Sequence, residues 1–322
     1  MDIAHAGGPQ APGVLMMARQ AATELRQSLS PEQQAQLRAY AAGGISAMVF
    51  NGLQAVTAGP PPLDLPPLSA LESERYVLCL AARNQILLNL VDHRAFAYDM
   101  DNDGQIVRLV GNFKGGGKTK LDAEPVKIEL SSHSGLALGP HTEAPYWCSV
   151  EAQNGHSPAP SALILTALWN PMAEPTTVIP LRPILEKLGT MKALALTLPN
   201  FNFTRSDSFV DGKGESGRGV SILKYHEKAG FVARFNAYRF SVDTDAPQIV
   251  HDAYAAFCQA VNTCVPIQYV LSQQSALIIN NDQALHCRDT VRDNRRLLVR
   301  LFGYASYVRQ IVLNEDPLLV RG

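Results

Sequence analysis

In Ser134-Gly135-Leu136-Ala137-Leu138-Gly139-Pro140-His141-Thr142-Glu143, small and apolar residues lead into a histidine and a glutamate separated by one threonine. On an extended chain, residues i and i+2 face the same side. His141 and Glu143 would then present an imidazole and a carboxylate together while Thr142 points away. These are two of the three donors of a facial triad. One further histidine on another strand would complete it and leave three octahedral positions for a chelating co-substrate and dioxygen.

The sequence downstream supports an extended setting. From about residue 130 the periodicity shortens towards two, in Ala193-Leu198, Val232-Phe240, Ile267-Leu271, Ala276-Ile279 and Leu297-Tyr304. Short strands separated by turn residues predict a β-sandwich or jelly roll. One long helix, Pro247 to about Val261, interrupts them.

The candidate third ligand is His286. It lies in Leu277-Ile278-Ile279-Asn280-Asn281-Asp282-Gln283-Ala284-Leu285-His286-Cys287-Arg288, which reads as an apolar strand, a turn and the start of another strand. Further on, Arg296-Leu297-Leu298-Val299-Arg300 embeds Arg300 among apolar neighbours. A planar guanidinium in a buried strand needs a carboxylate, which it holds through two parallel bonds. A carboxylate-bearing co-substrate would supply one. The remaining histidines, His93, His133, His156, His226 and His251, read as ordinary surface or core residues.

Upstream, residues 1–13 read as a disordered lead. Leu15, Ala18, Ala22, Leu25 and Leu29 then form an amphipathic helix stripe for core packing. Ser30-Pro31-Glu32-Gln33 is a capping box with proline at the first helical position, and Gly43-Gly44 ends that helix. Ile45-Leu53 reads as a strand, Pro60-Pro67 as a linker, and Ser69 with Glu72 as a second capping box opening a helix to about Val91. The expected organisation is a helical extension over 14–91 and a β core over about 130–305, within one domain spanning 14–322.

Among the 322 residues, 46% are hydrophobic and 18% charged, enough for a sizeable core. A net charge of -1 and a pI near 6.7 give no field that would gather a nucleic acid or an acidic membrane surface. Val77-Val91, the longest apolar region, is broken by Arg83, Asn84, Gln85 and Asn89, too short and polar to span a bilayer. No signal peptide is read at the N-terminus. The five cysteines are odd in number and none are spaced C-x-x-C, so reduced thiols in a cytoplasmic, soluble protein are expected.

Two glycine-rich stretches are decoys. Gly212-Lys213-Gly214-Glu215-Ser216-Gly217 matches G-x-G-x-x-G but is followed by an apparent strand, Val220-Leu223, rather than a helix. Gly111-Asn112-Phe113-Lys114-Gly115-Gly116-Gly117-Lys118-Thr119 has the wrong spacing for a phosphate loop and reads as a hairpin or lid. The polar loop Asn202-Gly219 is a candidate lid over a substrate.

His141-Thr142-Glu143, the Asn170-Pro171…Thr176-Thr177 segment, Leu277…Asn281…His286…Arg288 and the Arg296…Arg300 strand together resemble the clavaminate synthase-like branch of iron(II)/2-oxoglutarate-dependent oxygenases, over about Phe96 to Tyr304. That branch includes hydroxylases of free asparagine and arginine. The resemblance implies an α+β fold whose core is a double-stranded β-helix, a cupin-like jelly roll, with helices outside. It implies Fe(II) on His141, Glu143 and His286, and 2-oxoglutarate with its distal carboxylate on Arg300. A threonine of Thr176-Thr177, Thr176 being favoured, would assist. Dioxygen is the second co-substrate and a small amino acid or derivative the partner. Glu143 occupies the position a halide would need, so hydroxylation is expected, with desaturation or ring closure open to the same oxidant. A jelly-roll binding protein without catalysis is the alternative.

Two departures from the family bear on the substrate. Ala144-Pro145-Tyr146-Trp147 follows the triplet where relatives often carry an acidic residue, which predicts an aromatic pair near the metal. Arg234-Phe235-Asn236-Ala237-Tyr238-Arg239-Phe240 has no carboxylate where the arginine hydroxylases grip a guanidinium. Both favour a neutral or apolar amino acid, or a larger natural-product intermediate, over a cationic one.

Overall fold

The computed structural model describes residues 2–113, 133, 135–204 and 216–322. Their architecture is mixed α and β, organised on an eight-stranded and a four-stranded sheet, with a three-stranded and a two-stranded sheet beside them.

In the larger sheet, Ala162–Trp169 pairs with both Ala276–Asn280 and Leu297–Ala305, all antiparallel. Ala47–Phe50 extends one side by pairing with Ala276–Asn280, and His93–Tyr98 extends the other through Leu297–Ala305. The side-chain period of two divides each central strand between two cores. Ala162, Ile164, Leu168, Ile278, Val299 and Leu301 join Leu80, Leu87 and Leu88 of the helix Arg75–Leu90. The alternate positions Leu163, Leu165, Leu277, Ile279, Leu298 and Phe302 join Val178 and Ala284 from the four-stranded sheet. That sheet runs in the order Ile267–Val270, Pro175–Pro180, Ala284–Arg288, Leu138–His141.

Pro140 explains the place of the last strand. Lacking an N–H, proline is confined to sheet edges, and Leu138–His141 is an edge strand. His141 therefore ends a strand whose outer flank is met only by an isolated bridge to Asn236. A third core, built on Phe201, Phe203, Phe235, Phe257 and Leu285, carries the helix Gln248–Thr263 against the outer elements.

The helical extension forms as its spacing predicts. Val14–Ser28 buries Leu15, Ala18 and Ala22. Pro31–Ala41 carries the full capping box, with Ser30 Oγ accepting from the Gln33 amide and Gln33 Oε1 from the Ser30 amide.

Several expectations are corrected. The lead over 1–13 is not wholly disordered: Asp2–His5 is a helical turn whose Ile3 and Ala4 are buried with Val14, Ala18 and Ala82. Ala193-Leu198 is not a strand, because Thr190–Ala195 is a helix followed by the αR residue Leu196. Alanine and leucine are the strongest helix formers, and that propensity outweighs their chance alternation here. Ser69 caps nothing. Leu68–Glu72 is a separate short helix with no side-chain cap, and Arg75–Leu90 begins after it. Of the lid and decoy loops, 114–119 and 205–215 lie outside the described residues. Among the described residues no helix is long and apolar enough to cross a membrane.

Candidate active site

His141 and His286 face each other across the ladder between Leu138–His141 and Ala284–Arg288, as register partners. Their ring centroids are 4.2 Å apart. Glu143 lies just beyond the strand end, where the Thr142 amide bonds the Phe235 carbonyl at 2.8 Å. One ligand atom from each of His141, Glu143 and His286 falls within 4.8 Å of the others, and among the described residues this is the one grouping able to hold a metal ion.

His141 and Glu143 are in the protonation states a cation requires. His141 Nδ1 lies 2.7 Å from the Gly139 carbonyl, which keeps the proton on Nδ1 and leaves Nε2 as a lone pair. Burial and the neighbouring His286 lower the His141 pKa to about 3, so the ring is neutral at physiological pH. Burial alone would raise the Glu143 pKa, but Arg300, then His286 and His141, outweigh it and hold the carboxyl well below the usual range. Its Oε1 stands 2.6 Å from Arg300 Nη1 and 3.5 Å from His286 Nε2. Two imidazoles and one carboxylate are a donor set that would fit a divalent iron.

That cavity lies between the two sheets and is lined by the triad, Thr176, Tyr146, Asn236, Arg296 and Arg300 among others. Arg296, Leu298, Arg300 and Phe302 all line it, one face of the strand Leu297–Ala305 and of the residue before it. The sequence reading joined Arg300 to Thr176. In the structure Thr176 Oγ1 accepts from Arg296 Nη2 at 3.4 Å, while Arg300 bonds Glu143 and rests over the Phe302 ring. Arg296 is buried, and its nearest described carboxylate oxygen, on Glu174, is 3.7 Å away. It was overlooked because it sits at the polar edge of the strand. Its shared parity with Arg300 was the signal.

Of the expected aromatic pair, Tyr146 lines the cavity and its hydroxyl accepts from Asn236 Nδ2 at 2.9 Å. Trp147 instead stacks on His156, as alternation along an extended segment requires. Asp101 and Arg108, also missed, form an ion pair at 2.5 Å on the cavity wall. The cavity thus offers carboxylates as well as guanidinium groups.

The fold is similar to that of solved non-heme iron oxygenases. Among solved structures, asparagine oxygenase in complex with Fe(II), 2S,3S-3-hydroxyasparagine and succinate is similar with a TM-score of 0.68 at 16% identity, covering 91% of this chain and 84% of that one. The non-heme iron oxygenase OrfP in complex with Fe, succinate and (3S)-hydroxy-L-Arg is similar with a TM-score of 0.62 at 22% identity, covering 89% and 83%. OrfP with Fe and alpha-ketoglutaric acid gives 0.60 at 20%, covering 90% and 85%. No family model matches the sequence, and no curated protein sequence matches it.

Proposed function

We propose that this chain is an iron(II)- and 2-oxoglutarate-dependent dioxygenase that hydroxylates an unactivated C–H bond of an amino acid or an amino-acid-derived intermediate. The observation that carries this reading is the convergence of His141, Glu143 and His286 on the wall of a cavity that also holds Arg296, Thr176 and Arg300. Strands that alternate between the two sheets in chain order support a double-stranded β-helix as the core: 138–141, 162–169 and 175–180, then 267–270, 276–280, 284–288 and 297–305.

Iron(II) with 2-oxoglutarate and dioxygen supplies the oxidising chemistry, with release of succinate and carbon dioxide. The chain's own residues hold the reactants. His141, Glu143 and His286 are the metal ligands. Arg300 already has a carboxylate partner in Glu143, whereas Arg296 and Thr176 bond each other on the cavity wall. We therefore assign the distal carboxylate of 2-oxoglutarate to Arg296 and Thr176, and to Arg300 the carboxylate of the amino acid. Asp101 on the same wall suits an ammonium group. Tyr146 and Asn236 give the far side neutral polar partners, consistent with a side chain that carries no positive charge. Leu163, Leu165, Leu298 and Phe302 keep the cavity dry on one side and fix which hydrogen lies nearest the metal. A near-neutral net charge favours a small-molecule partner over nucleic acid or membrane, and we place the protein in the cytoplasm.

Anaerobic titration with iron(II) and 2-oxoglutarate tests this reading. A weak visible charge-transfer band is expected with the wild type and is lost in His286→Ala. Its appearance opens a screen of amino acids for succinate release. Folded wild-type protein that gives no band would overturn the proposal.

A further inference from the structure

His141 and His286 are held in register by the ladder they share, whereas Glu143 lies beyond the strand end. Its backbone amide is fixed by a side chain: Asn281 Oδ1 accepts from it at 2.8 Å. Asn281 has no solvent exposure, and its Nδ2 donates to the Pro160 carbonyl at 2.8 Å. The oxygen end faces an N–H and the nitrogen end a carbonyl, so the amide has one favourable orientation. Its own backbone amide donates to the Ser161 carbonyl at 2.8 Å.

Behind Asn281 stands an ion pair with almost no exposure, Arg234 Nη2 to Asp282 Oδ1 at 2.6 Å. Arg234 Nη1 also donates to the Asn281 carbonyl at 3.2 Å, and the Ala233 amide to the Asp282 carbonyl at 3.1 Å. The next residues reach the other ligand segment. Phe235 exchanges hydrogen bonds with Thr142, and Asn236 bridges His141. One short stretch thus clamps the turn that precedes His286 to the segment that carries His141 and Glu143.

We propose that Asn281, locked by the Arg234–Asp282 pair, is a positioning residue for the metal centre that sets the reach of Glu143 relative to the two histidines. A turn that needed only its own backbone bonds would have no use for a buried side-chain acceptor aimed at residue 143. The inference rests on the metal-binding reading above and extends it to a residue that touches neither metal nor substrate.

The test is cobalt(II) titration of the full chain, followed by its visible spectrum, alongside thermal melting of the metal-free protein. Asn281→Ala is expected to weaken cobalt binding by about 10- to 100-fold, the usual cost of losing a group that orients a ligand. Gln283→Ala is the control. Gln283 lies in the same turn, but its side-chain amide donates to the Ala229 and Phe231 carbonyls and not to the ligand segment. It should lower the melting temperature while leaving affinity within about twofold of wild type. Asn281→Asp, whose buried carboxyl in its protonated form accepts from the Glu143 amide through one oxygen and donates its O–H to the Pro160 carbonyl through the other, should recover affinity to within about threefold, which also covers the case of an Ala variant that does not fold. Wild-type affinity in folded Asn281→Ala overturns the proposal. So does an equal loss in Gln283→Ala, or a tenfold loss in Asn281→Asp at an unchanged melting temperature. Wild type that fails to bind cobalt would instead overturn the metal-binding reading itself.

Discussion

Glu143 stands between two different demands, one from the guanidinium of Arg300 and one from the imidazole of His286, both on the same oxygen. Arg300 is its counter-ion, so the carboxylate stays charged in a buried setting without the cost of burying a lone anion. The proposed division of labour between Arg296 and Arg300 is testable. Arg296→Lys should raise the KM for 2-oxoglutarate by about 10- to 100-fold and leave that for the amino acid little changed, since lysine cannot make the bidentate contact. Arg300→Lys should do the reverse, and steady-state kinetics on both substrates checks the pair. At this scale the sequence was most informative. His141, Glu143 and His286 were legible because strand parity and a turn leave few other geometries. The partner of Thr176 was not, because Arg296 and Arg300 share one parity and only the tertiary position of Thr176 separates them.

Among the elements, legibility was uneven. Ile267–Val270, largely exposed, and Ala276–Asn280 and Leu297–Ala305, buried along their whole length, were all anticipated as short runs between turn residues. Ala162–Trp169, buried on both faces through Leu168, reads as a continuous apolar run with no alternation to detect, although it is central to the larger sheet. Ala193-Leu198 alternated by accident and misled, since the helix Thr190–Ala195 runs into it. The contact of Arg75–Leu90 with this sheet is the main anchor of the helical extension. Gly303 leaves the gap into which Leu88 fits, since a Cβ there would lie 2.9 Å from Leu88 Cδ2. Leu88→Ala, at a site with no exposure, should destabilise by about 2–5 kcal/mol in chemical denaturation, because a rigid sheet cannot collapse into the cavity left behind.

For the molecule as a whole, the triad joins segments far apart in sequence, so a bound cation links the ends of the β core. A ligand that binds only the folded state stabilises it by mass action, about 2.7 kcal/mol at a hundredfold excess over Kd. Manganese(II) should therefore raise the melting temperature by several degrees, EDTA should reverse the gain, and His286→Ala should not respond. The pairing of Ala162–Trp169 carries a different consequence, in time rather than space. Both of its neighbours, Ala276–Asn280 and Leu297–Ala305, emerge from the ribosome only after more than a hundred further residues have been made. Until then an apolar strand waits with both edges bare, a template for intermolecular pairing. Slower synthesis at low temperature or a chaperone that shields this strand should therefore govern how much of the chain reaches its native form.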